Sequence, residues 1–197
     1  MPRLVLASQS PARLKTLRAA GLDPEVLVSG VDESDVAGEP AYVALELAVR
    51  KARAVAGRVE GTALVVGCDS VLELDGEVHG KPANADEARQ RWRRMRGRTG
   101  TLHTGHCVID TADSREVARG AGTLVRFADV TDAEIEAYVA TGEPLVVAGA
   151  FTVDGLGGAF VDGLVGDPHN VVGISLPLLR RMVGELGVAW PALWAPR

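Results

Sequence analysis

Four charged side chains among the first 81 residues are of the types needed to bind and cleave a phosphoanhydride. Asp69 follows the apolar run VVGC, Lys51 lies in AVRKARAV, and Lys81 lies in HGKP. Glu33 belongs to the acidic stretch VDESD. Lysines can neutralise phosphate oxygens, and a carboxylate can hold a magnesium ion or accept a proton from water. Taken singly, each residue also fits a structural role, the lysines and Glu33 at the surface and Asp69 in a turn.

The stretch LASQSPARLKTL, residues 6–17, predicts a strand that turns sharply into a capped helix. Ser10 is the expected N-cap, and Pro11 takes the first helical position, where its missing N–H costs nothing. Such a turn directs backbone N–H groups, the hydroxyls of Ser8 and Ser10 and the Arg13 guanidinium toward one volume. That volume suits an anion, although ordinary capped turns without a ligand share the pattern.

Apolar runs and helical periodicities alternate along the chain and predict an α/β or α+β fold with a mixed sheet. The predicted strands are residues 3–7, 25–28, 63–68, 71–74, 101–110, 115–127 and 159–162. The predicted helices are residues 11–20, 40–57, 84–96, 132–140 and 175–186. No linker divides the chain, so one domain over residues 1–197 is expected. Asp69 would directly follow a buried strand, where open α/β sheets bind ligands.

Two local patterns predict turns and caps. Asp75 and Gly76, between two short extended runs, predict a β-hairpin whose second arm leads to Lys81. Thr131 with Glu134 three residues later predicts a capping box at the start of a helix.

The segment RQRWRRMRGR, residues 89–98, carries six arginines in ten positions. Asn84 is the expected N-cap of its helix, with Glu87 three residues later, and Trp92 would lie on the buried face. A net charge of −5 argues against a protein that binds nucleic acid through a general basic surface. The arginines are therefore expected on a solvated helix face, with contact to RNA or a partner as the alternative.

The composition favours a cytoplasmic globular protein. With 197 residues, 47% of them hydrophobic, the chain can form one core or two small lobes that share a cleft. No apolar stretch approaches membrane-spanning length, and the N-terminus lacks a signal-peptide pattern, so no membrane partner is expected. Cys68 and Cys107 lack metal-ligand spacing, which predicts two reduced core cysteines.

Several segments together resemble the Maf family of septum formation inhibitor-like proteins, which are nucleoside triphosphate pyrophosphatases. LASQSPARLKTLRAAGL resembles the family motif LASxSPRRxxLL, YVALELAVRKA resembles a second helix ending in KA, and VVGCDSVLELDGEVHGKP resembles GxDTVVxxxGxIxGKP. RGRTGTLHTGHCV, AYVATGEPLVVAGAF and GLGGAFVDGLVGDPHNVVG resemble later segments in the same order. The resemblance extends from about residue 4 to residue 179.

This resemblance implies a fold and an activity. The implied fold is a long twisted mixed sheet flanked by helices, with two lobes around a cleft, as in the inosine triphosphate pyrophosphatases. The implied activity is hydrolysis of a nucleoside triphosphate to a monophosphate and pyrophosphate, with a divalent cation such as magnesium or manganese. A homodimer is suggested by the resemblance alone.

The resemblance also implies roles for individual residues. Asp69 would accept a proton from the attacking water and, with Glu33, contribute to metal binding. The phosphates would be held by Ser8, Ser10, Arg13, Lys51 and Lys81.

Three positions select the nucleotide base in members of the family. Family members specific for dTTP and UTP carry arginine, threonine and glutamine at three positions, and those specific for 7-methyl-GTP carry tryptophan, glutamine and glutamate. Here the three residues are Ala12, Ser70 and Asp154, which match neither set. A broad specificity, or one for a non-standard nucleotide, is expected.

A second hypothesis belongs to another class of protein. The family name suggests a non-catalytic, nucleotide-binding regulator of cell division or septum formation, and a role in division arrest is compatible with enzymatic activity. The set of Ser8, Arg13, Lys51, Asp69 and Lys81 favours catalysis, because a pure binding module has no need of a water-activating carboxylate.

Overall fold

The computed structural model describes residues 2–195, in which strands and helices alternate. The strands are β1 Leu4–Leu6, β2 Glu25–Val26, β3 Leu64–Leu74, β4 Glu77–His79, β5 Thr99–Asp110, β6 Arg115–Phe127 and β7 Val161–Val165. The helices are α1 Pro11–Ala19, α2 Pro40–Ala56, α3 Ala85–Met95, α4 Asp132–Ala140, α5 Pro168–Val172 and α6 Leu176–Glu185. Short 3₁₀ segments span Glu143–Val146, Ala148–Ala150, Leu156–Phe160 and Trp190–Leu193. Within residues 2–195, no helix has both the length and the apolar character required to cross a bilayer.

The seven strands of the described chain form one mixed sheet, six of them in the order β2-β1-β3-β5-β6-β7. β1 runs parallel to β2 and β3, whereas β3, β5, β6 and β7 pair antiparallel in sequence. β4 pairs antiparallel with the end of β3. Helices pack against this sheet, which confirms the predicted mixed α/β fold.

One edge of β3 is interrupted. β1 pairs with residues 64–66 of β3 and β4 pairs with residues 72–74, while β5 covers the other edge from Leu64 to Glu73. Among the described strands, none pairs with residues 67–71 on the β1 side, and we call this interval the β3 gap. Asp69 and Ser70 lie in it.

Two apolar clusters lie on one face of β3, on either side of the gap. The cluster near β1 packs against α1 and α6 and includes Leu6, Leu17, Val66, Cys68 and Met182. The cluster at the far end packs against α3 and α4 and includes Leu72, Trp92, Phe127, Tyr138 and Phe151. Side chains two positions apart on a strand share a face, so the polar Ser70 lies between Cys68 and Leu72. The two clusters correspond to the two expected lobes.

Helix α2 packs against the opposite face of the sheet at very short range. A Cβ atom on Gly67 would lie 2.3 Å from the Ala48 carbonyl oxygen, and one on Gly105 would lie 2.2 Å from that of Ala44. Only glycine permits this approach, because real Cβ contacts do not fall below 3.0 Å. The close packing brings Lys51, on α2, over β3.

The predicted turns and caps are confirmed. The N-caps Ser10, Asn84 and Thr131 accept hydrogen bonds from the backbone at the third helical position, and Thr131 forms the capping box. Asp75 and Gly76 have φ values of 58° and 77° between β3 and β4. Both values are typical of a tight two-residue hairpin.

Several predicted element boundaries are wrong. The predicted strands 63–68 and 71–74 are one strand, β3, so Asp69 lies inside a strand and not at its carboxyl end. Backbone pairing with β5 continues through the polar residues, which outweighs their low strand propensity. Predicted strand 159–162 starts only at Val161, predicted strand 25–28 is reduced to Glu25–Val26, and the short helix α5 was not predicted.

Candidate active site

Asp69, Lys51 and Glu33 meet on the α2 side of the β3 gap. The Lys51 ammonium contacts Asp69 Oδ1 and lies 2.6 Å from Glu33 Oε1. The side chains of Lys51 and Asp69 are only 11% and 13% exposed, whereas that of Glu33 is 52% exposed. Charges withdrawn from water need partners, and these residues supply them to one another. The alternative of a simple surface lysine is therefore wrong for Lys51.

Arg13 lies on the other face of the β3 gap and is buried. Its Nη1 donates to Ser8 Oγ at 3.1 Å, its Nη2 to Ser70 Oγ at 3.1 Å, and its Nε to the Gly173 carbonyl at 2.8 Å. These three contacts come from different parts of the chain. They hold the planar guanidinium in one orientation at the gap.

The Ser70 hydroxyl belongs to a chain of hydrogen bonds in which each group's donor or acceptor role is fixed. Thr104 Oγ1 donates to the Asn170 carbonyl at 3.0 Å and lies 2.9 Å from Ser70 Oγ. A hydroxyl has one proton, so Thr104 must accept from Ser70, which in turn accepts from Arg13. Ser70 is left with one free lone pair and no free proton.

Ser8 has the opposite capacity. Its Oγ accepts from Arg13 Nη1 and from the Ser10 backbone N–H, both at 3.1 Å. Both lone pairs are then occupied, so the Ser8 hydroxyl proton remains free to be donated. Ser10 Oγ accepts from the Arg13 backbone N–H at 3.4 Å and caps α1. The turn thus presents a hydrogen-bond donor at the gap.

Lys81 follows β4, the strand that borders the far end of the β3 gap. It follows His79, the β4 partner of Leu72, by two residues, and it is exposed. The preceding Gly80 carbonyl accepts from Arg91 Nη1 at 2.5 Å and from the Gly149 N–H at 3.0 Å, which fixes the loop. Within residues 2–195, no carboxylate lies within 4 Å of the Lys81 ammonium.

The three residues expected to contact a base lie around the start of α1. Ser70 contacts Arg13, as described, and Ala12 is partly exposed beside it. The Asp154 carboxylate lies 3.5 Å from the ammonium of Lys15, one helical turn after Ala12. The loop that carries Asp154 therefore contacts α1, the helix that also carries Arg13.

Cys68 and His106 pair on neighbouring strands and are fully buried. Burial raises the pKa of the Cys68 thiol to about 12, so it is no nucleophile despite its position next to Asp69. Burial and the nearby Arg13 charge lower the pKa of His106 to about 4. His106 Nε2 accepts from the Ser175 N–H at 2.8 Å, which requires the neutral ring. The predicted core role of Cys68 and Cys107 is confirmed.

The carboxylates of Asp69 and Glu33 are the candidate metal ligands. No group of three or more His, Cys, Asp or Glu side chains with metal-binding geometry occurs among residues 2–195. Both carboxylates converge on the positive Lys51 ammonium. Magnesium in phosphate-cleaving sites is commonly held by one or two carboxylates together with substrate oxygens and water, and this pair fits that pattern.

The comparison with known families agrees with the motifs found in the sequence. A family model described as Maf-like protein matches residues 3–186. The chain belongs to the Maf-like protein family. The nucleoside triphosphate pyrophosphatase of Streptomyces avermitilis is 62% identical, covering 99% of this chain and 96% of the relative. That of Streptomyces coelicolor is 63% identical, with 98% and 95% covered.

Among solved structures, the Ham1 protein of Staphylococcus aureus aligns with this Maf-like chain at a TM-score of 0.47 and 14% identity. The alignment covers 98% of this chain and 93% of the Ham1 protein.

Sequence reasoning missed three site residues of this Maf-like chain. Thr104 and Asn170 are fully buried, and the Gly173 carbonyl orients Arg13. The sequence carries no signal for Thr104, because β5 contains several other polar residues. Asn170 lies in DPHNVVG, in which the apolar residues follow neither a helical nor a strand periodicity.

Proposed function

We propose that this Maf-like protein hydrolyses a nucleoside triphosphate to the monophosphate and pyrophosphate. The observation that carries the proposal is the convergence of Asp69 and Lys51 in the β3 gap, with Arg13 on the other face of the same strand. Relatives that are 62% and 63% identical and carry the name nucleoside triphosphate pyrophosphatase support it.

In the proposed reaction a water oxygen attacks the α-phosphorus. The bond from the α-phosphorus to the bridging oxygen breaks, pyrophosphate leaves with that electron pair, and Asp69 takes the proton of the water. Lys51, beside Asp69, orients this carboxylate and offers positive charge to the phosphate oxygens. Holding water, base and phosphate together in the gap removes much of the entropic cost of the reaction.

Phosphate binding is assigned to the groups that retain free donors. Arg13 has five N–H donors and uses three, so two remain for phosphate oxygens. The free Ser8 proton and the Lys81 ammonium are proposed to bind phosphate oxygens from the β1 side and the β4 side of the gap. Ser10 contributes by capping α1, whose N-terminal dipole favours an anion.

A divalent cation, magnesium or manganese, is proposed to be held by Asp69 and Glu33 together with the substrate phosphates. When bound, it would neutralise negative charge on the phosphate oxygens. Glu33 lies on an exposed loop and can move away from Lys51 without disturbing the core.

Ala12, Ser70 and Asp154 are proposed to select the base. Ser70 has only a free lone pair, so it can accept from a base N–H group but cannot donate to a base carbonyl. Ala12 leaves space where a larger side chain would stack on the base. This combination supports a broad specificity or a non-standard nucleotide as substrate.

The test is pyrophosphate release from dTTP, UTP, CTP, GTP, 7-methyl-GTP and ITP with magnesium or manganese. We expect Asp69→Asn to reduce the best rate by about 10²-fold or more, as removal of a general base does. Asp110→Asn is the matched control, because Asp110 is also a partly buried strand carboxylate but pairs with Leu64, outside the gap. Near wild-type turnover in Asp69→Asn would refute the role of Asp69. A folded wild-type protein that cleaves no nucleotide would favour the regulatory hypothesis.

A further inference from the structure

One carboxylate, that of Glu143, holds the loop formed by residues 152–157. Its donors are the hydroxyls of Thr152 (2.6 Å) and Tyr138 (2.9 Å) and the backbone N–H groups of Leu156 and Gly157 (3.0 Å each). Three of these donors bond to Oε1 and one to Oε2, so the carboxylate accepts four hydrogen bonds from the loop and from α4. Burial opposes its charge, but these hydrogen bonds lower the pKa of Glu143 below its ordinary value.

Glycines make this attachment sterically feasible. A Cβ atom on Gly155 would lie 2.6 Å from Glu143 Oε2, and one on Gly157 would lie 2.4 Å from the Tyr138 hydroxyl. Side chains at these positions would push the loop away from the carboxylate. The glycine-rich sequence DGLGG, which matches no phosphate-binding loop, is explained by this contact.

The same loop contacts helix α1 through Asp154. Asp154 lies between the attached residues Thr152 and Leu156 and contacts Lys15 of α1. Lys15 lies one helical turn after Ala12, on the helix whose Arg13 lines the gap. The Lys15–Asp154 pair is exposed to solvent, and such pairs add little to the rigidity of a loop. The hydrogen bonds of Glu143 hold the residues on either side of Asp154.

We propose that Glu143 is a positioning residue for nucleobase recognition: it holds Asp154 toward the base of a nucleotide whose phosphates occupy the β3 gap. The proposal rests on the proposed function, since it requires a nucleotide in that gap. Recognition groups held rigidly before binding lose less entropy on binding. Glu143→Gln removes the charge and replaces one acceptor with a donor that faces an N–H or hydroxyl, so the loop loosens.

The test separates base binding from phosphate binding in the full-length protein. KM is measured for the best nucleotide, and Ki is measured for inorganic tripolyphosphate, which has no base, as a competitive inhibitor. We expect Glu143→Gln to raise KM by about tenfold, the effect of about 1.4 kcal/mol, with the Ki for tripolyphosphate unchanged. Glu136→Gln is the matched control on neighbouring α4, where Glu136 contacts only surface arginines.

Two milder variants keep the proposal testable if Glu143→Gln does not fold. Thr152→Val removes one of the four donors, and Lys15→Gln releases Asp154 at an exposed position that is 73% accessible. Each is expected to raise KM less than Glu143→Gln, again without a change in Ki.

Two results would overturn the inference alone: an unchanged KM in folded variants, or equal increases in KM and in the Ki for tripolyphosphate. In both cases the wild-type enzyme would still cleave nucleotides. A wild-type protein that releases no pyrophosphate would instead overturn the proposed function, and this inference with it.

Discussion

At the scale of single residues, the site is organised by how each donor and acceptor is already used. Ser8 retains a proton and no lone pair, whereas Ser70 retains a lone pair and no proton. One serine can therefore only donate a further hydrogen bond, and the other can only accept one. Their common partner, Arg13, is held by both and keeps two donors for a ligand.

The buried His106 predicts a pH dependence of stability. Its pKa of about 4 in the folded state lies below the ordinary value of 6.5, which the unfolded chain would show. Between these values the unfolded chain binds a proton that the folded chain does not. The free energy of unfolding therefore has its full value above about pH 6.5 and decreases as the pH falls toward 4. The expected slope is about 1.4 kcal/mol per pH unit.

Urea unfolding of wild type and His106→Gln between these pH values measures the slope. His106→Gln should lose most of the dependence, and His169→Gln, at a half-exposed ring, should keep it. A slope that survives in His106→Gln would assign the dependence to other groups.

At the scale of elements, the contact between α2 and the sheet decides whether Lys51 reaches Asp69. Gly105 lies directly opposite Asp69 in the β3–β5 register, and Gly67 lies two residues before it. Both glycines touch the backbone of α2. Any side chain at these positions would move the helix that carries Lys51.

We expect Gly67→Ala to destabilise the fold by about 1–3 kcal/mol or more, because its Cβ would overlap Ala48 and Ala52. The matched control is Gly120→Ala in β6, where a Cβ meets no atom within 4 Å and the expected change is within about 1 kcal/mol. Thermal or urea unfolding of both variants provides the measurement. Equal stabilities would mean that α2 can shift outward without cost.

At the scale of the whole molecule, the arginines of residues 89–98 pair with acidic side chains, Arg91 within α3 and the others on other elements. The pairs are Arg89 and Arg93 with Glu136, Arg91 with Glu87, Arg94 with Glu77, Arg96 with Asp132, and Arg98 with Asp75. These contacts tie α3 to α4 and to the β3–β4 hairpin. The arginine side chains thus serve intramolecular packing, although Arg91 is buried and not solvated as expected.

With these pairs and a net charge of −5, we expect no retardation of single-stranded RNA at physiological salt. Electrophoretic mobility shift at several salt concentrations is the measurement, with a basic RNA-binding protein as positive control. Retardation that weakens steeply with salt would contradict the expectation. The homodimer and the cytoplasmic location stay predictions from the sequence.

The sequence by itself determined the local features. The caps at Ser10, Asn84 and Thr131 and the Asp75-Gly76 turn depend on residues within four positions, where hydrogen bonding and backbone sterics act directly. Residue types and the strand-to-helix turn indicated Asp69, Lys51 and Arg13 as candidates, and the family resemblance implied their roles.

Only the tertiary structure decided how those candidates meet. That β3 continues through Asp69, that Lys51 lies between two carboxylates, and that Glu143 holds the Asp154 loop all depend on contacts between distant parts of the chain. Polar residues in a strand look like its end until a partner strand supplies their backbone hydrogen bonds. Sheet register and burial arise from collapse of the whole chain, so no short segment of sequence contains them.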